Sequence, residues 1–188
     1  MRPLVLWNLV TLDGLFEGTK AWDLAFHQLA WGEELERLSI EQLEAADLLV
    51  FGRATGDGMA AYWRTATGQV ADFMNRLPKV VFSRAPRAVD WANTTVLRED
   101  PAAAVARLKR EGDGPMFVFG SADLSQTLMD AGAFDEVRLA IVPVILGAGR
   151  PLFPRGLRRR AFTLLESRRL SNGCLVVRYA ASGSAAAG

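Results

Sequence analysis

The order of the apolar segments constrains the fold of this chain more than any other feature. Short strand-like runs alternate with helical segments over most of the chain, and two strands close it. The first run, residues 4–10, is apolar on both faces, which is typical of a strand buried inside a sheet. The pattern predicts an α/β fold with a mixed, mostly parallel sheet flanked by helices and an antiparallel C-terminal end. The other predicted strands are 47–51, 79–82, 94–97, 116–119, 136–142, 162–166 and 174–179.

Local signals set the expected helix boundaries. Asp100-Pro101 predicts a helix start, because Asp accepts hydrogen bonds from the free N–H groups and Pro needs no N–H partner there. Helical spacing at Trp31, Leu35 and Leu38 predicts one helix. Ser39 and Gln42 fit a capping box, which predicts that a second short helix begins there and runs to Ala46. Other helices are predicted at 55–62, 69–77 and 122–131.

The chain has 188 residues, 50% of them hydrophobic, and a formal net charge of +1. This length fits one domain, expected at residues 1–181, with a disordered tail at 182–188. One cysteine and one histidine exclude an internal disulfide and a Cys/His zinc site, so we expect no metal and a cytoplasmic location. No apolar run approaches the roughly 18 residues that cross a bilayer, so no membrane partner is expected.

Charges are balanced overall but unevenly distributed. Residues 11–47 carry nine acidic side chains against two basic ones, whereas 150–169 carry seven arginines against one glutamate. Two solvated faces of opposite sign explain this pattern, and so does a basic lip beside an anionic ligand. The run Arg158-Arg159-Arg160 is one route to nucleic-acid binding, but it lacks the interleaved aromatic residues of a stacking platform. We therefore expect no nucleic-acid partner.

Two strands end in small and polar residues, at the edge where ligands collect in open α/β sheets. In Gly52-Arg53-Ala54-Thr55, Thr55 can cap the next helix and hold a phosphate with the exposed amides, while Arg53 pairs with it bidentately. In Phe119-Gly120-Ser121-Ala122, the glycine allows close backbone approach and Ser121 can cap the next helix. Each segment alone is also an ordinary connection. The two together favour a dinucleotide, which has a pyrophosphate to hold.

A third strand ends in Phe82-Ser83-Arg84, where a hydroxyl and a cation stand side by side. This pair suits a monoester phosphate such as the 2′-phosphate of NADP, and a solvated loop arginine explains it equally well. The chain contains neither G-x-G-x-x-G nor G-x-x-x-x-G-K-[ST]. A standard Rossmann dehydrogenase and a P-loop NTPase are therefore disfavoured.

Five segments follow one another in an order that is more specific than any one of them. They are Thr11-Leu-Asp-Gly14, Leu49-Val-Phe-Gly-Arg-Ala-Thr55 with Gly58-Met-Ala60 and Trp63, Lys79-Val-Val-Phe-Ser-Arg84, Phe117-Val-Phe-Gly-Ser121 with Leu124, and Pro143-Val-Ile-Leu-Gly-Ala-Gly-Arg-Pro-Leu-Phe153. Together they resemble the dihydrofolate reductase-like superfamily, and specifically the branch containing the reductase domain of bacterial riboflavin biosynthesis. The resemblance runs from about Leu4 to Tyr179, nearly the whole chain.

This resemblance implies a three-layer dihydrofolate reductase-like fold and an NADPH-dependent reductase that acts on a small molecule. Members of this branch commonly form homodimers, so a homodimer is expected. The residues that the resemblance places against the cofactor are Gly52, Arg53 and Thr55 at its phosphates, Phe82, Ser83 and Arg84 at the adenosine 2′-phosphate, Phe119, Gly120, Ser121, Ala122 and Leu124 at the pyrophosphate, and Leu9, Val10 and Gly14 toward the nicotinamide.

Two positions depart from the family pattern. Family members commonly carry an aromatic residue after the Gly-Arg-x-Thr stretch, where this chain has Gly56, which puts the local packing in question. Dihydrofolate reductases often carry an arginine in the last phosphate loop, where this chain has Asp123. A carboxylate there does not attract a 2′-phosphate, so Arg53 and Arg84 would have to recognise it.

Reducing a C=N or C=O bond with hydride needs a proton, from a carboxyl group or an ordered water. Asp13 follows the first strand and is one candidate donor, with an Asx turn as its alternative role. Asp23 is the second candidate. With Trp22 it can bind a pterin- or pyrimidine-like ring, or it only caps the next helix. His27 is a further possible acid, and Cys174, in an apolar strand, is expected to be inert.

The sequence therefore predicts an NADPH-dependent reductase of a small heterocyclic substrate, pterin-like or pyrimidine-like. Two alternatives stay open. One is the riboflavin-pathway reduction of 5-amino-6-(5-phosphoribosylamino)uracil, which the lack of an attached deaminase domain in this chain weakens. The other is a dimeric NADP(H)-binding protein without turnover. Loop shapes at 14–26 and 147–154 are expected to decide the substrate.

Overall fold

A computed structural model describes residues 1–85 and 88–182, and residues 183–188 of the expected tail lie outside this part. The strands are β1 (Leu4–Thr11), β2 (Leu15–Glu17), β3 (Leu48–Gly52), β4 (Lys79–Phe82), β5 (Thr94–Leu97), β6 (Met116–Phe119), β7 (Glu136–Val142), β8 (Arg150–Pro151), β9 (Phe162–Arg169) and β10 (Leu175–Ala181). Eight of them form one sheet in the order β5-β4-β3-β6-β1-β7-β10-β9. Only the pairs that involve β10 are antiparallel in this sheet. The predicted mixed sheet with an antiparallel C-terminal end is confirmed.

Helices cover both faces of the sheet. They are α1 (His27–Ala30), α2 (Glu33–Ala45), α3 (Arg53–Trp63), α4 (Gln69–Arg76), α5 (Pro101–Leu108) and α6 (Ala122–Asp130). The buried side chains of α1 to α4 pack in one apolar cluster, and those of α5 and α6 pack in a second cluster. The fold is therefore the three-layer arrangement that the sequence predicts.

Strand β1 lies inside the sheet and contributes side chains to both apolar clusters. Val5 and Trp7 belong to the cluster on the α1 to α4 side, whereas Leu4 and Leu6 belong to the cluster on the α5 and α6 side. Because alternate residues of a strand face opposite sides of the sheet, a strand that is covered on both faces needs apolar residues at successive positions. Asn8 is a polar exception in the second half of β1, level with Leu139 of β7.

One local expectation is wrong, and one short strand was not predicted. Ser39 does not begin a new helix: α2 is continuous from Glu33 to Ala45, and the Ser39 hydroxyl donates to the Leu35 carbonyl one turn earlier. A capping sequence in mid-helix satisfies its hydroxyl in this way when the flanking residues favour helix. The loop after β1 also holds a short strand, β2, which pairs antiparallel with β8.

Other local expectations are confirmed. The Asp100 carboxylate accepts a hydrogen bond of 2.9 Å from the Ala103 amide and caps α5, with Pro101 as its first residue. The closing strands β9 and β10 form the predicted hairpin, and Gly173 has a φ of +88° in its turn. Within residues 1–85 and 88–182, no helix combines the length and the apolar character that a membrane crossing requires.

The strand register brings the predicted ligand loops to one edge. Gly52 at the end of β3 is level with Phe82 at the end of β4, and Trp7 in β1 is level with Phe119 at the end of β6. Because these strands are parallel, the segments that follow them emerge side by side at the carboxyl edge of the sheet. The candidate site is built there.

Candidate functional site

The loops after β3 and β6 are joined directly. The amide of Gly52 donates a hydrogen bond of 2.8 Å to the hydroxyl of Ser121. A Cβ on Gly52 would lie 3.5 Å from Ser121 and from Leu124, so the two loops are in close contact. The expectation that Ser121 caps α6 is wrong, because its side chain makes no cap hydrogen bond and instead holds the neighbouring loop.

Backbone conformation forces the sharp turn after β6. Gly120 has a φ of +60°, and Ser121 follows with a φ of +60° as well. A Cβ on Gly120 would lie 3.2 Å from the Thr55 methyl group in the first turn of α3. The space is tight and the conformation is left-handed, so glycine is favoured at this position on two grounds.

Helix α3 begins earlier than the sequence predicts. Gly52 is its N-cap residue and Arg53 its first residue, so Thr55 lies within the first turn and makes no side-chain cap. The expectation that Thr55 caps this helix is therefore wrong. The backbone N–H groups at the starts of α3 and α6 lack intrahelical partners and point, with the positive ends of both helix dipoles, to the shared edge. This arrangement suits an anionic group.

Asn8 is a site residue that the sequence reasoning missed. It is 6% exposed, and its Oδ1 accepts a hydrogen bond of 2.9 Å from the Gly120 amide. Its Nδ2 is buried without a hydrogen-bond partner in the described part of the chain. A polar residue inside the otherwise apolar run of β1 was the available signal. Asn8 fixes the turn after β6, and its free amide donor lies beside that turn.

Apolar and aromatic residues pack around the turn after β6. Ala122 and Leu124 are buried at the start of α6. The ring of Phe119 stacks against Phe51 at 6.4 Å and against Phe117 at 5.8 Å between centroids. These contacts pack the turn tightly against the end of the sheet.

Two arginines lie on the solvent side of these loops. Arg53 is exposed and forms a long ion pair of 3.8 Å with Asp57, one turn along α3. Arg150 reaches Asp123 in the first turn of α6 and pairs with its carboxylate. The negative charge of Asp123 is thus neutralised by an arginine from a distant loop. No local pattern predicts Arg150 at this position, because the pairing depends on how the loop of β8 folds back.

Ser83 and Arg84 end β4 at the same edge. Ser83 is 7% exposed, and its hydroxyl accepts a hydrogen bond of 3.2 Å from the Ala85 amide, which closes a small turn. Phe82 is buried beneath them. Arg84 is exposed, and its guanidinium has no ion pair among residues 1–85 and 88–182. It is available for an anionic ligand.

Asp13 ties together the two loops that were expected to set specificity. Its carboxylate accepts hydrogen bonds from the Thr11 hydroxyl and, over 2.8 Å, from the Gly147 amide. The Thr11 bond, with the help of the amides of Gly147 and Leu146, holds the pKa of Asp13 below its usual range. A carboxylate that is ionised in this way is a poor proton donor and a good loop anchor.

The β2 and β8 ribbon strengthens this junction. Gly14 has a φ of +77°, and its carbonyl accepts a hydrogen bond of 3.1 Å from the Leu152 amide. A Cβ on Gly149 would lie 2.3 Å from the carbonyl oxygen of Glu17, so a glycine is required where the two loops cross. The first loop and the loop at 143–151 are therefore joined by backbone contacts. Leu9 and Val10 precede the first loop in β1, where Val10 is buried.

Trp22 crosses from the first loop to α3. Its indole ring occupies the space beside Gly58, where a Cβ would lie 1.8 Å from the ring. Trp22 has a φ of +64°, and its amide donates to Glu17 over 2.6 Å. Asp23 is exposed next to it, and Phe26 rather than Asp23 is the N-cap residue of α1. The first loop thus contacts α3.

Three further expectations have clear physical outcomes. Burial lowers the pKa of His27 to about 4, so this side chain is neutral near pH 7 and cannot act as an acid there. Burial raises the pKa of the Cys174 thiol, which keeps it protonated and unreactive. A Cβ on Gly56 would lie 3.0 Å from Val81 in β4, so α3 packs too close to the sheet for the aromatic residue that the family pattern favours.

The comparison with known proteins identifies the family. The sequence model of the RibD C-terminal domain matches residues 3–176, almost the entire described chain. The chain belongs to the RibD C-terminal domain family. This confirms the resemblance on which the expected fold and site were based.

Relatives of this RibD C-terminal domain cover it nearly end to end. YyaP, an uncharacterized protein of Bacillus subtilis strain 168, is 27% identical over 190 residues, which cover 95% of this chain and 94% of YyaP. A Shewanella sp. PV-4 protein with a provisional assignment to riboflavin biosynthesis has a TM-score of 0.80 at 18% identity, covering 96% of this chain and 99% of that one. Dihydrofolate reductase from Enterococcus faecalis, complexed with NADP(H) and RAB-propyl, has a TM-score of 0.66 at 13% identity, covering 96% and 97%. The dihydrofolate reductase-like fold is thereby confirmed.

Proposed function

We propose that this chain is an NADPH-dependent reductase of a small pterin-like or pyrimidine-like heterocycle. The observation that carries the proposal is the hydrogen bond between Gly52 and Ser121, which joins two helix N-termini into one anion-binding edge. Membership of the RibD C-terminal domain family and the NADP(H) bound to the dihydrofolate reductase of the same fold support it.

The residues at this edge fit a dinucleotide. The amides of Gly52 and Gly120 are bound by Ser121 and Asn8, which leaves the N–H groups at the starts of α3 and α6 for a ligand. The Asn8 amide donor beside them is without a partner in the described structure. Gly120 to Leu124 would hold the pyrophosphate, and Gly52, Arg53 and Thr55 would hold phosphate oxygens from the other side. Bound NADPH would supply the hydride.

The preference for NADPH is assigned to the turn after β4. Ser83 and Arg84 follow Phe82, which is level with Gly52, and offer a hydroxyl and a guanidinium that has no ion pair within residues 1–85 and 88–182. A guanidinium pairs strongly with a monoester phosphate, which NADPH has and NADH lacks. Arg150 neutralises Asp123 nearby and so removes a repulsive charge from the start of α6.

For the substrate side we assign Trp22 and Asp23. The indole of Trp22 contacts Gly58 of α3, and a flat ring can stack on an aromatic face of this kind. The exposed Asp23 carboxyl group is then the candidate proton donor. Asp13 is assigned a positioning role, because its carboxylate is already engaged by Thr11 and Gly147.

Substrate-dependent oxidation of NADPH tests this proposal, with a panel of dihydropterins and aminopyrimidines. Asp23→Asn is expected to lower kcat at least tenfold with little change in the KM for NADPH. Asp13→Asn is expected to raise the KM for the heterocyclic substrate with most of kcat retained. The matched control is Asp113→Asn, an exposed carboxylate away from the site. Loss of kcat in Asp13→Asn but not in Asp23→Asn would reverse the two roles. NADPH binding without oxidation by any substrate would favour a binding protein without turnover.

The riboflavin-pathway reaction is the second candidate, and the family match favours it. The panel therefore includes 5-amino-6-(5-phosphoribosylamino)uracil. Its ribose carries a phosphate, so the basic segment at 150–160 would be expected to contribute to its binding. Turnover of this substrate in preference to the dihydropterins would establish the riboflavin-pathway activity.

A further inference from the structure

A cavity lies on the face of the sheet that α2 covers. It has a volume of about 170 Å³ and opens between α2 and strands β7, β10 and β9. Pro115, which precedes β6, and Arg138 of β7 border it. None of its lining residues belongs to the loops that follow β3, β4 and β6, so it is separate from the site described above.

Gln42 of α2 lines this cavity and carries a buried donor. The side chain is 4% exposed, and its Oε1 accepts a hydrogen bond of 3.1 Å from Arg138 Nη1. A guanidinium only donates, so the amide oxygen faces Arg138 and the NH₂ group is directed elsewhere. Its Nε2 is buried without a partner in the described part of the chain. A buried donor in this state favours an acceptor from outside the protein.

Three guanidinium groups border the same cavity. Glu136 accepts hydrogen bonds of 2.7 Å from Arg138 and 2.7 Å from Arg178 and fixes both side chains. Glu166 accepts a further bond of 3.0 Å from Arg178. Arg168 is exposed and forms no ion pair within residues 1–85 and 88–182.

Donors exceed acceptors on this wall. Each guanidinium has five N–H groups, and the bonds to Glu136, Glu166 and Gln42 leave several of them free on Arg138 and Arg178. The remaining acidic group, Glu41, is exposed on the α2 side. An acceptor-rich anion suits such a wall.

The rest of the wall is apolar. The ring of Phe117 forms part of the floor, and the guanidinium of Arg138 lies over it at 5.2 Å. Leu38 and Val176 flank the ring. An inorganic anion would leave this surface unused, whereas an organic anion would cover it.

We propose that the cavity binds a small organic carboxylate with a flat apolar body. The carboxylate would accept hydrogen bonds from Gln42 Nε2 and Arg168, and the body would lie against Phe117 and Val176. This site is independent of the proposed reductase function, because none of its residues belongs to the loops after β3, β4 and β6.

Benzoate is the probe that tests this site on the full chain, with binding followed by ligand-observed NMR and isothermal titration. We expect saturable binding with a Kd that is roughly millimolar, as befits so small a ligand. Benzamide has the same shape without the charge and is expected to bind at least tenfold more weakly. Inorganic phosphate has the charge without the apolar body and is also expected to bind more weakly.

Two variants and one control complete the test. Arg168→Gln and Gln42→Leu are each expected to weaken benzoate binding about tenfold, and Arg159→Gln, an exposed arginine outside the cavity, is expected to leave it unchanged. Arg168 is exposed and forms no ion pair among the described residues, so its variant keeps the test valid if Gln42→Leu does not fold. Absence of saturable benzoate binding, equal binding of benzamide, or unchanged binding in Arg168→Gln would each overturn the proposal. A second copy of the chain covering this face would be detected as a dimer that excludes benzoate, which also overturns it.

Discussion

The amide of Gly52 donates a hydrogen bond of 2.8 Å to the hydroxyl of Ser121, a residue 69 positions later in the chain. The bond joins the N-cap residue of α3 to the N-cap residue of α6. Both helix N-termini are thereby held at fixed separation on the carboxyl edge of the sheet. A ligand with two linked phosphates gains from such a fixed pair, because the protein does not have to order the loops when it binds.

Removing the Ser121 hydroxyl should loosen this pair. Ser121→Ala keeps the Cβ and the left-handed backbone of the serine, and we expect it to lower the free energy of unfolding by about 1 kcal/mol through the lost hydrogen bond. Ser121→Gly loses the same bond but relieves the left-handed strain, so it should cost about 1 kcal/mol less than Ser121→Ala. Both variants should bind NADPH about tenfold more weakly. Urea unfolding and NADPH titration measure the two effects, with the exposed Ser167→Ala as control. Unchanged NADPH affinity in both variants would show that the bond does not serve the cofactor.

Asn8 should affect cofactor binding more than stability. Asn8→Leu removes the acceptor of the Gly120 amide but also removes a buried Nδ2 that has no partner in the described structure. These effects oppose each other, so we expect the free energy of unfolding to change by less than about 1 kcal/mol. The turn after β6 loses its anchor, and the KM for NADPH should rise about tenfold with kcat little changed. A large loss of stability with unchanged KM would assign Asn8 a purely structural role.

Arg84 should discriminate between the two nicotinamide cofactors. A charge-assisted contact with a phosphate is worth roughly 2 kcal/mol, so Arg84→Ala should weaken NADPH binding about tenfold or more. NADH lacks this phosphate, and its affinity should not change. Quenching of tryptophan fluorescence reports both affinities, with Arg159→Ala as a control for general charge. If wild-type protein binds NADPH and NADH equally, Arg84 does not have this role.

His27 should make the fold sensitive to acid. Burial lowers its pKa to about 4 in the folded state from an ordinary value of 6.5, so the unfolded chain binds the proton more readily. The free energy of unfolding should therefore be fully retained above pH 6.5 and fall as the pH drops toward 4, by roughly 3 kcal/mol in total. His27→Gln should remove this part of the slope. Denaturant unfolding of both proteins across this range measures the difference, and identical slopes would contradict the assignment.

The fold could be predicted from sequence because its signals are local and agree with one another. The apolar run of β1 requires a central strand, and Asp100-Pro101 begins α5 as its capping chemistry dictates. The glycines and hydroxyls that end β3 and β6 were predicted to share one edge. Parallel strands bring their carboxyl ends together whatever the loops do.

The finer features of the site depend on tertiary contacts that local signals do not contain. The Thr55 and Ser121 side chains were expected to cap helices, but the first packs beside Gly120 and the second binds the Gly52 amide. Arg150 pairs with Asp123 only because β8 folds back on β2. Each of these contacts joins segments that are distant in sequence, so no window of neighbouring residues predicts it.

The most direct test is a crystal structure of the chain with bound NADPH. The pyrophosphate is expected against the amides of Ser121 and Ala122 and of Arg53 and Ala54, and the 2′-phosphate is expected within hydrogen-bond distance of Ser83 and Arg84. NADPH bound elsewhere, or crystals grown in excess NADPH that contain none at this edge, would contradict the proposed reductase function.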